Sequence, residues 1–261
     1  MKNKLKLLKE NMKFNVNSNQ FRLILLLILC FNLYGTAYLA TNLTYLDGMI
    51  NIITNGYYVV SLIGLVLLNT INTFDKFEKN DFYILRFKDR KMYLKQLIIN
   101  VLMSNTILLV MNLVVLIIGL NLFASSKFVI SNFLDYSIPN IVYIIFYLLR
   151  LFFIIQIIAI INVCLLKIIN NKFVIGINLI LYLAILFTPY EPKRVVSSIS
   201  NMFLSISDYM RLHYYSNFSL EIFCSVIYIF IPLVISFILF NFTKNKMKNI
   251  GAWWNIYYWM I

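Results

Sequence analysis

Apolar runs about 20 residues long recur along this chain, and they constrain its fold more than any other feature. A helix of roughly 20 residues crosses the ~30 Å hydrocarbon core of a bilayer, so each run is a candidate membrane span. The 261 residues are 61% hydrophobic and 13% charged, whereas a soluble domain carries about 25% charged residues. The sequence therefore predicts an all-α, polytopic membrane protein in which residues 1–261 form a single transmembrane domain.

Six transmembrane helices are predicted, preceded by an amphipathic segment. Residues 1–20 place Leu5, Leu8, Met12 and Val16 at spacings of three and four, with lysines on the other face. This pattern is typical of a helix that lies on the membrane surface. The predicted spans are residues 21–40, 56–74, 97–123, 138–166, 173–188 and 220–242.

The basic residues predict the orientation of these spans. Most of the 23 Lys and Arg residues fall in segments on the side of the N-terminus. Because cytoplasmic loops are enriched in Lys and Arg, both termini are expected in the cytoplasm, with residues 41–55 and 190–219 as external loops. A net charge of +13 spread between apolar runs suits anionic lipid as a partner and not nucleic acid. The exceptions to the bias are Arg150, within a span, and Lys127, Lys193, Arg194 and Arg211 in the outer segments.

No motif for catalysis, metal binding or cofactor binding is visible. The chain lacks a Walker P-loop, an H-E-x-x-H pair and a G-x-S-x-G elbow. Its three cysteines lie in apolar runs, and His213 is the single histidine, so a zinc site or disulfide framework is not expected. We therefore predict no catalytic residue, no metal and no cofactor. A membrane enzyme is therefore disfavoured, and secondary transport is disfavoured further because no acid lies deep within a predicted span to carry protons or sodium.

Four polar residues inside the spans are candidates for lining a substrate route: Arg150, Asn105, Asn112 and Gln156. Arg150 lies roughly 16–18 Å into the fourth predicted span, where a charge costs at least ~2.5–3.5 kcal/mol. Asn105 and Asn112 are seven residues apart and share a helix face. Each has a structural alternative. Arg150 can be a buried arginine bonded to helix carbonyls or to Gln156, and the amides can join helices through hydrogen bonds.

Residues 75–96 form a densely charged segment between the second and third spans. Seven Lys or Arg residues and four acids alternate there with apolar side chains, which include Phe77, Met92, Tyr93 and Leu94. Such a segment can lie along the membrane or dock into a groove of a partner. The alternative is an orientation signal with interfacial aromatic residues. The predicted docking residues are Phe82, Tyr83, Leu85, Arg86, Phe87, Arg90 and Lys91.

This arrangement resembles the permease subunits of type-2 ABC exporters. Those proteins have an amphipathic helix before the first of six spans and a charged coupling segment between the second and third. They also have a short fifth span and a larger external segment before the sixth. The run Tyr83-Ile-Leu-Arg-Phe-Lys-Asp-Arg-Lys-Met-Tyr-Leu94 is similar to one in permeases of Gram-positive bacteria that serve peptide or bacteriocin export or immunity. The external segment here is modest, and Arg150 matches no residue of the family pattern.

The resemblance implies a permease in a bacterial plasma membrane that exports a hydrophobic or amphipathic cargo, such as a peptide, a bacteriocin or a lipid-like molecule. It also implies two partners. One is a separate ABC ATP-binding subunit that grips the coupling segment and the N-terminal helix, and the other is a second permease copy, identical or a sister subunit. The alternative is a stand-alone membrane immunity or interaction protein without transport activity.

Overall fold

A computed structural model describes residues 18–78, 90–124, 128–130, 138–187 and 218–259. All regular elements in these ranges are helices, so the all-α prediction is confirmed. They are α1 (Asn19–Leu39), α2 (Tyr45–Ile53), α3 (Gly56–Glu78), α4 (Arg90–Phe123), α5 (Asn140–Ile168), α6 (Asn171–Phe187) and α7 (Phe218–Trp259).

Five of the described helices, α1, α3, α4, α5 and α7, are long and apolar enough to cross a membrane. Helix α6, which covers most of the fifth predicted span, has 17 residues and is shorter than these five helices. Many large apolar side chains point away from the bundle, among them Leu26, Phe230 and Phe237. Hydrocarbon-facing helices show such surfaces because lipid is as apolar as their side chains. The chain is therefore a membrane protein with five candidate spans, and the sixth stays a prediction.

Residues 41–55 are not the simple loop that the sequence predicted. Helix α2 lies there and buries Leu46, Ile50 and Ile53. Thr44 caps its first turn, because the Thr44 side chain accepts from the Asp47 N–H at 3.3 Å. Nine residues are too few to cross a membrane. The search for apolar runs of about 20 residues therefore does not detect α2 as part of the core.

Both ends of the predicted charged segment, residues 75–96, are helical where the structure describes them. Helix α3 continues to Glu78, and α4 begins at Arg90. Residues 79–89 lie outside the described ranges, as do residues 1–17, most of residues 190–219 and the last two residues. The predicted amphipathic helix at residues 1–20 therefore falls almost wholly outside the described chain.

The spans pack with their ends in two groups. One group, called the Leu39 end, holds the end of α1, the start of α3, the end of α4 and the start of α5. The opposite group, called the Glu78 end, holds the end of α3, the start of α4, the end of α5 and the start of α6. One buried apolar cluster contains residues of all the helices from α1 to α5, including the buried apolar residues of α2. A second cluster, with Phe77, Tyr93, Leu94 and Val174, fills the Glu78 end.

Helices α1 and α4 approach closely at one glycine. A Cβ added at Gly119 would lie 2.5 Å from the Thr36 Oγ1 and 2.9 Å from its Cγ2. No side chain larger than hydrogen fits there without a shift. Small residues at such contacts let membrane helices pack with their backbones close together.

Candidate functional site

The predicted docking residues fall at the edge of the described chain. Arg90 and Lys91 open α4, while Phe82, Tyr83, Leu85, Arg86 and Phe87 lie outside the described ranges. Their role in docking therefore stays a prediction.

Three apolar residues of the charged segment belong to the core. Phe77 is 2% exposed, Tyr93 is 3% exposed and Leu94 is fully buried. These side chains pack inside the Glu78 end and cannot contact a partner there. Met92, by contrast, is exposed on α4. The segment available for docking is thus narrower than the alternation of apolar and charged residues indicated.

Lys167 on α5 joins the two ends of the charged segment. Its Nζ forms an ion pair with the Glu78 Oε2, at the last residue of α3. The Tyr93 hydroxyl, in the first turns of α4, donates to the same oxygen at 2.7 Å. The Lys167 Nζ also lies 4.9 Å from the centre of the Tyr93 ring and 5.3 Å from that of Phe74. We call Phe74, Glu78, Tyr93 and Lys167 the Lys167 cluster.

The environment of the Lys167 cluster favours a fixed geometry. The Lys167 side chain is 10% exposed, and the aromatic faces that cover it attract a cation through their quadrupoles. Lys167 also lies in the last turn of α5, where the helix dipole favours positive charge. Glu78 is 39% exposed, so water screens part of the ion pair. Three helix ends are therefore tied at one point, directly beside residues 79–89.

A second polar contact extends this link to α6. The Asn171 Nδ2, at the first residue of α6, donates to the Asp75 Oδ1 at 3.3 Å. Only Ile169 and Asn170 separate α5 from α6, so this bond also places the turn between them beside the end of α3. Polar contacts therefore link the end of α3 to α4, α5 and α6.

The amides predicted to line a route instead make contacts between helices. The Asn112 Nδ2 donates to the Tyr58 hydroxyl at 2.6 Å, and its Oδ1 accepts from the Asn32 Nδ2 at 2.9 Å. The Asn105 Oδ1 accepts from the Asn69 Nδ2 at 2.7 Å. Gln156 donates to the Thr106 hydroxyl, which ties α5 to α4 at 3.0 Å.

These bonds make α4 the hub of a polar network. Asn112 connects α4 to α1 and α3, Asn105 connects it to α3 through Asn69, and Thr106 connects it to α5. Interhelical hydrogen bonds of this kind contribute about 0.6–2 kcal/mol each in membranes. A route between these helices would require the bonds to break, and a role of the amides in lining such a route stays a prediction.

Arg150 lies deep in α5. It is 4% exposed and follows Asn140, the first residue of the helix, by ten positions, or about 15 Å along the axis. Tyr147 and Tyr143 precede it on the same helix face and are fully buried or nearly so. A buried arginine at membrane depth marks a functional candidate, because its burial is costly.

Sequence reasoning missed the Lys167 cluster. In the sequence, Lys167 and Lys172 are two of the basic residues that predict orientation, and Glu78 is one of four acids in the charged segment. The positions of the two charges in the sequence could have indicated this ion pair. An acid that ends one helix, and a lysine that ends another on the same predicted side of the membrane, are candidates for an ion pair.

The described residues contain no group of three or more His, Cys, Asp or Glu side chains that could hold a metal ion. No protein-family model matches the chain, and no curated protein or solved structure matches it either.

Proposed function

We propose that this chain is the permease subunit of an ABC exporter in a bacterial plasma membrane. In this proposal it has six spans and cytoplasmic termini, and the Glu78 end faces the cytoplasm. A separate ATP-binding subunit docks on residues 79–91 and supplies the energy. A second permease copy completes a route for a hydrophobic or amphipathic cargo.

The observation that carries the proposal is the Lys167 cluster. A loop that served only to orient the chain would need positive charge, and nothing would require its two ends to be fixed to a third helix. Here the last residue of α3 and the first turns of α4 meet on Lys167 of α5. Such a link transmits a push on residues 79–89 to the spans.

The mechanism follows from differential contact with two states. Closure of the ATP-binding subunit would move residues 79–91, and the Lys167 cluster would carry this displacement to α3, α4 and α5. The spans would then shift between inward-facing and outward-facing arrangements, as packed helices do when an interface has two stable forms. In this mechanism the permease contributes no chemistry, and its ATPase partner carries the Walker motif.

Affinity purification of the full chain in mild detergent, with mass spectrometry of what accompanies it, tests the proposal. We expect an ATPase with a Walker motif in near-stoichiometric amount. A chain that is intact and abundant but lacks such a partner would contradict the proposal and favour the stand-alone immunity or interaction protein.

A double substitution, Arg86→Glu with Arg90→Glu, tests the docking segment itself. We expect normal insertion in the membrane, with loss of the ATPase partner or of its coupling to transport, because opposite charges would face the docking groove. The control is Lys172→Glu with Lys248→Glu, which removes the same charge from the cytoplasmic side outside the segment. Unchanged coupling in the Arg86 and Arg90 variant would refute docking there.

A further inference from the structure

Helix α2 is wedged among four spans. It contacts α1, α3, α4 and α5 at the Leu39 end of the bundle. One face is apolar and buried, while Asn51 on the other is exposed. The buried apolar residues of α2 are Leu46, Met49, Ile50, Ile52 and Ile53. A nine-residue helix with this face covers the end of the bundle without crossing the membrane.

A glycine allows α2 to sit close to its neighbours. A Cβ added at Gly48 would lie 3.0 Å from the Ala40 Cβ and 3.4 Å from the Leu120 Cδ2. Ala40 caps α1, and Leu120 lies near the end of α4. A larger side chain at Gly48 would therefore push α2 away from both helices.

Short capped turns bracket α2 on both sides. Asn42, in the turn before it, has a positive φ of 69°, a left-handed conformation that asparagine adopts more readily than most residues. Thr44 caps α2, and the Asn55 side chain accepts from the Tyr58 N–H at 3.4 Å and caps α3. Changes of φ and ψ in a few residues at element ends are enough to swing a helix as a unit.

The contacts of α2 differ in kind from those among the spans. The spans are joined by amide hydrogen bonds, such as those of Asn105 and Asn112, which fix distance and direction. Helix α2 is held by its apolar face, and the Asn51 Nδ2 donates to the Leu39 carbonyl at 2.8 Å. A movement of α2 would therefore disrupt apolar contacts and the Asn51 bond, but none of the amide bonds just named.

Arg150 lies below α2 along α5. Tyr143 and Tyr147 belong to the same buried cluster as the core of α2, and Arg150 follows Tyr147 by about one turn. Along α5, Tyr143 and Tyr147 therefore lie between the Leu39 end and Arg150, and they pack in the same cluster as α2.

We propose that α2 is a gate that closes the Leu39 end of the bundle and that its outward movement exposes the interior leading to Arg150. The inference deepens the proposed function and rests on it for the outward direction of passage. In the closed state the bundle interior is sealed, and in the open state the apolar face of α2 leaves α1 and α4 through the turns at residues 41–44 and 54–55.

A reversible disulfide locks the gate and tests it. Disulfides join Cβ atoms about 3.5–4.5 Å apart, so a slight outward shift of α2 accommodates the pair Ala40→Cys with Gly48→Cys. The native Cys30, Cys164 and Cys224 are replaced by alanine, and Ile144→Cys on α5 serves as the reporter. Intact cells are treated with a membrane-impermeant maleimide, and labelling of residue 144 is quantified by peptide mass.

Labelling of residue 144 measures the population of the open gate. Minor conformations are commonly populated at about 0.1–10%, so labelling of the reduced chain should be slow, and oxidation should lower it about tenfold or more. Addition of reductant should restore it, which makes each sample its own folding control. Equal labelling in the oxidised and reduced chains would overturn the proposal.

An independent variant tests the gate without a disulfide. Gly48→Leu should raise labelling of residue 144 because the side chain displaces α2 from Ala40 and Leu120. Gly35→Leu on α1 is the matched control, since a Cβ there meets nothing within 4 Å. Absence of labelling even in the Gly48 variant would show that α2 is a fixed plug.

These measurements need neither ATP nor the partner, so the two proposals can fail separately. If labelling of residue 144 depends on the disulfide but no ATPase partner is found, the gate proposal would stand and the exporter proposal would be rejected. An ATPase partner together with labelling that ignores the lock would reject the gate alone.

Discussion

The Lys167 cluster predicts an unequal effect of removing its two charges. Glu78→Gln would remove the carboxylate that pairs with the Lys167 ammonium, whose side chain is only 10% exposed. Breaking one partner of a buried pair costs about 3–5 kcal/mol. Because Glu78 is 39% exposed and water screens it, we expect about 1.5–3 kcal/mol of destabilisation instead.

Lys167→Met should cost less. Methionine keeps an unbranched apolar stem between Phe74 and Tyr93, and the Glu78 carboxylate keeps the Tyr93 hydroxyl as a donor at 2.7 Å. The losses are a cation–π contact and a partly screened ion pair, together about 1 kcal/mol. The double variant should resemble Lys167→Met alone, because the buried cation that Glu78→Gln disturbs is then absent.

The free energy of unfolding decides between these cases. It can be measured by titrating the purified chain in mixed micelles with a denaturing detergent and following far-UV circular dichroism. Lys172→Met is the control, since Lys172 is exposed and its removal should change stability by less than about 0.5 kcal/mol. If Lys167→Met destabilised the chain as much as Glu78→Gln, the reasoning that Glu78→Gln disturbs a buried cation would be wrong.

The same unfolding assay checks two further predictions. Gly119→Ala should cost about 1–3 kcal/mol because its Cβ would overlap Thr36, whereas Gly64→Ala, where a Cβ meets nothing within 4 Å, should gain about 0.5–1 kcal/mol. Equal effects would contradict the close packing of α1 and α4. Asn69→Leu should cost about 1–2 kcal/mol through its lost bonds to α4, while Asn121→Leu, at an exposed site bonded within its own helix, should be nearly neutral.

The long apolar helices could be predicted from the sequence because they depend on a local property. A run of about 20 apolar residues satisfies the membrane by itself, whatever it packs against. Helix α2 could not be recognised in this way. Its face with Ile50 and Ile53 is apolar only on one side and only nine residues long, and its burial depends on four other helices.

The candidate site was predicted only in part, for the same reason. A charge-rich segment between spans is visible in the sequence, and it indicates a membrane face and a possible contact. The same segment contains Tyr93 and Leu94, which pack with Phe77 inside the core. No local pattern separates these buried apolar residues from the predicted docking residues, because their burial depends on how α3, α4 and α5 pack together.

Partners within the bundle are the part that sequence reasoning could not supply. Asn69 and Asn105 are 36 residues apart, and Glu78 and Lys167 are 89 apart. No local pattern relates such pairs, because each contact requires two helices to be placed first.

The Lys167 cluster matters for function because of where it lies and not because of its contribution to stability. An exposed ion pair of similar geometry would contribute at most about 1 kcal/mol, and apolar residues of similar size could fill the same space. Apolar residues, however, would not fix the orientation of the last residue of α3 and the first turns of α4 relative to α5, because apolar contacts are non-directional. Under the proposed function, these directional bonds beside residues 79–89 would transmit a movement of that segment to α5. For that reason we expect Lys167→Met to reduce the coupling of transport to ATP hydrolysis far more than it reduces stability.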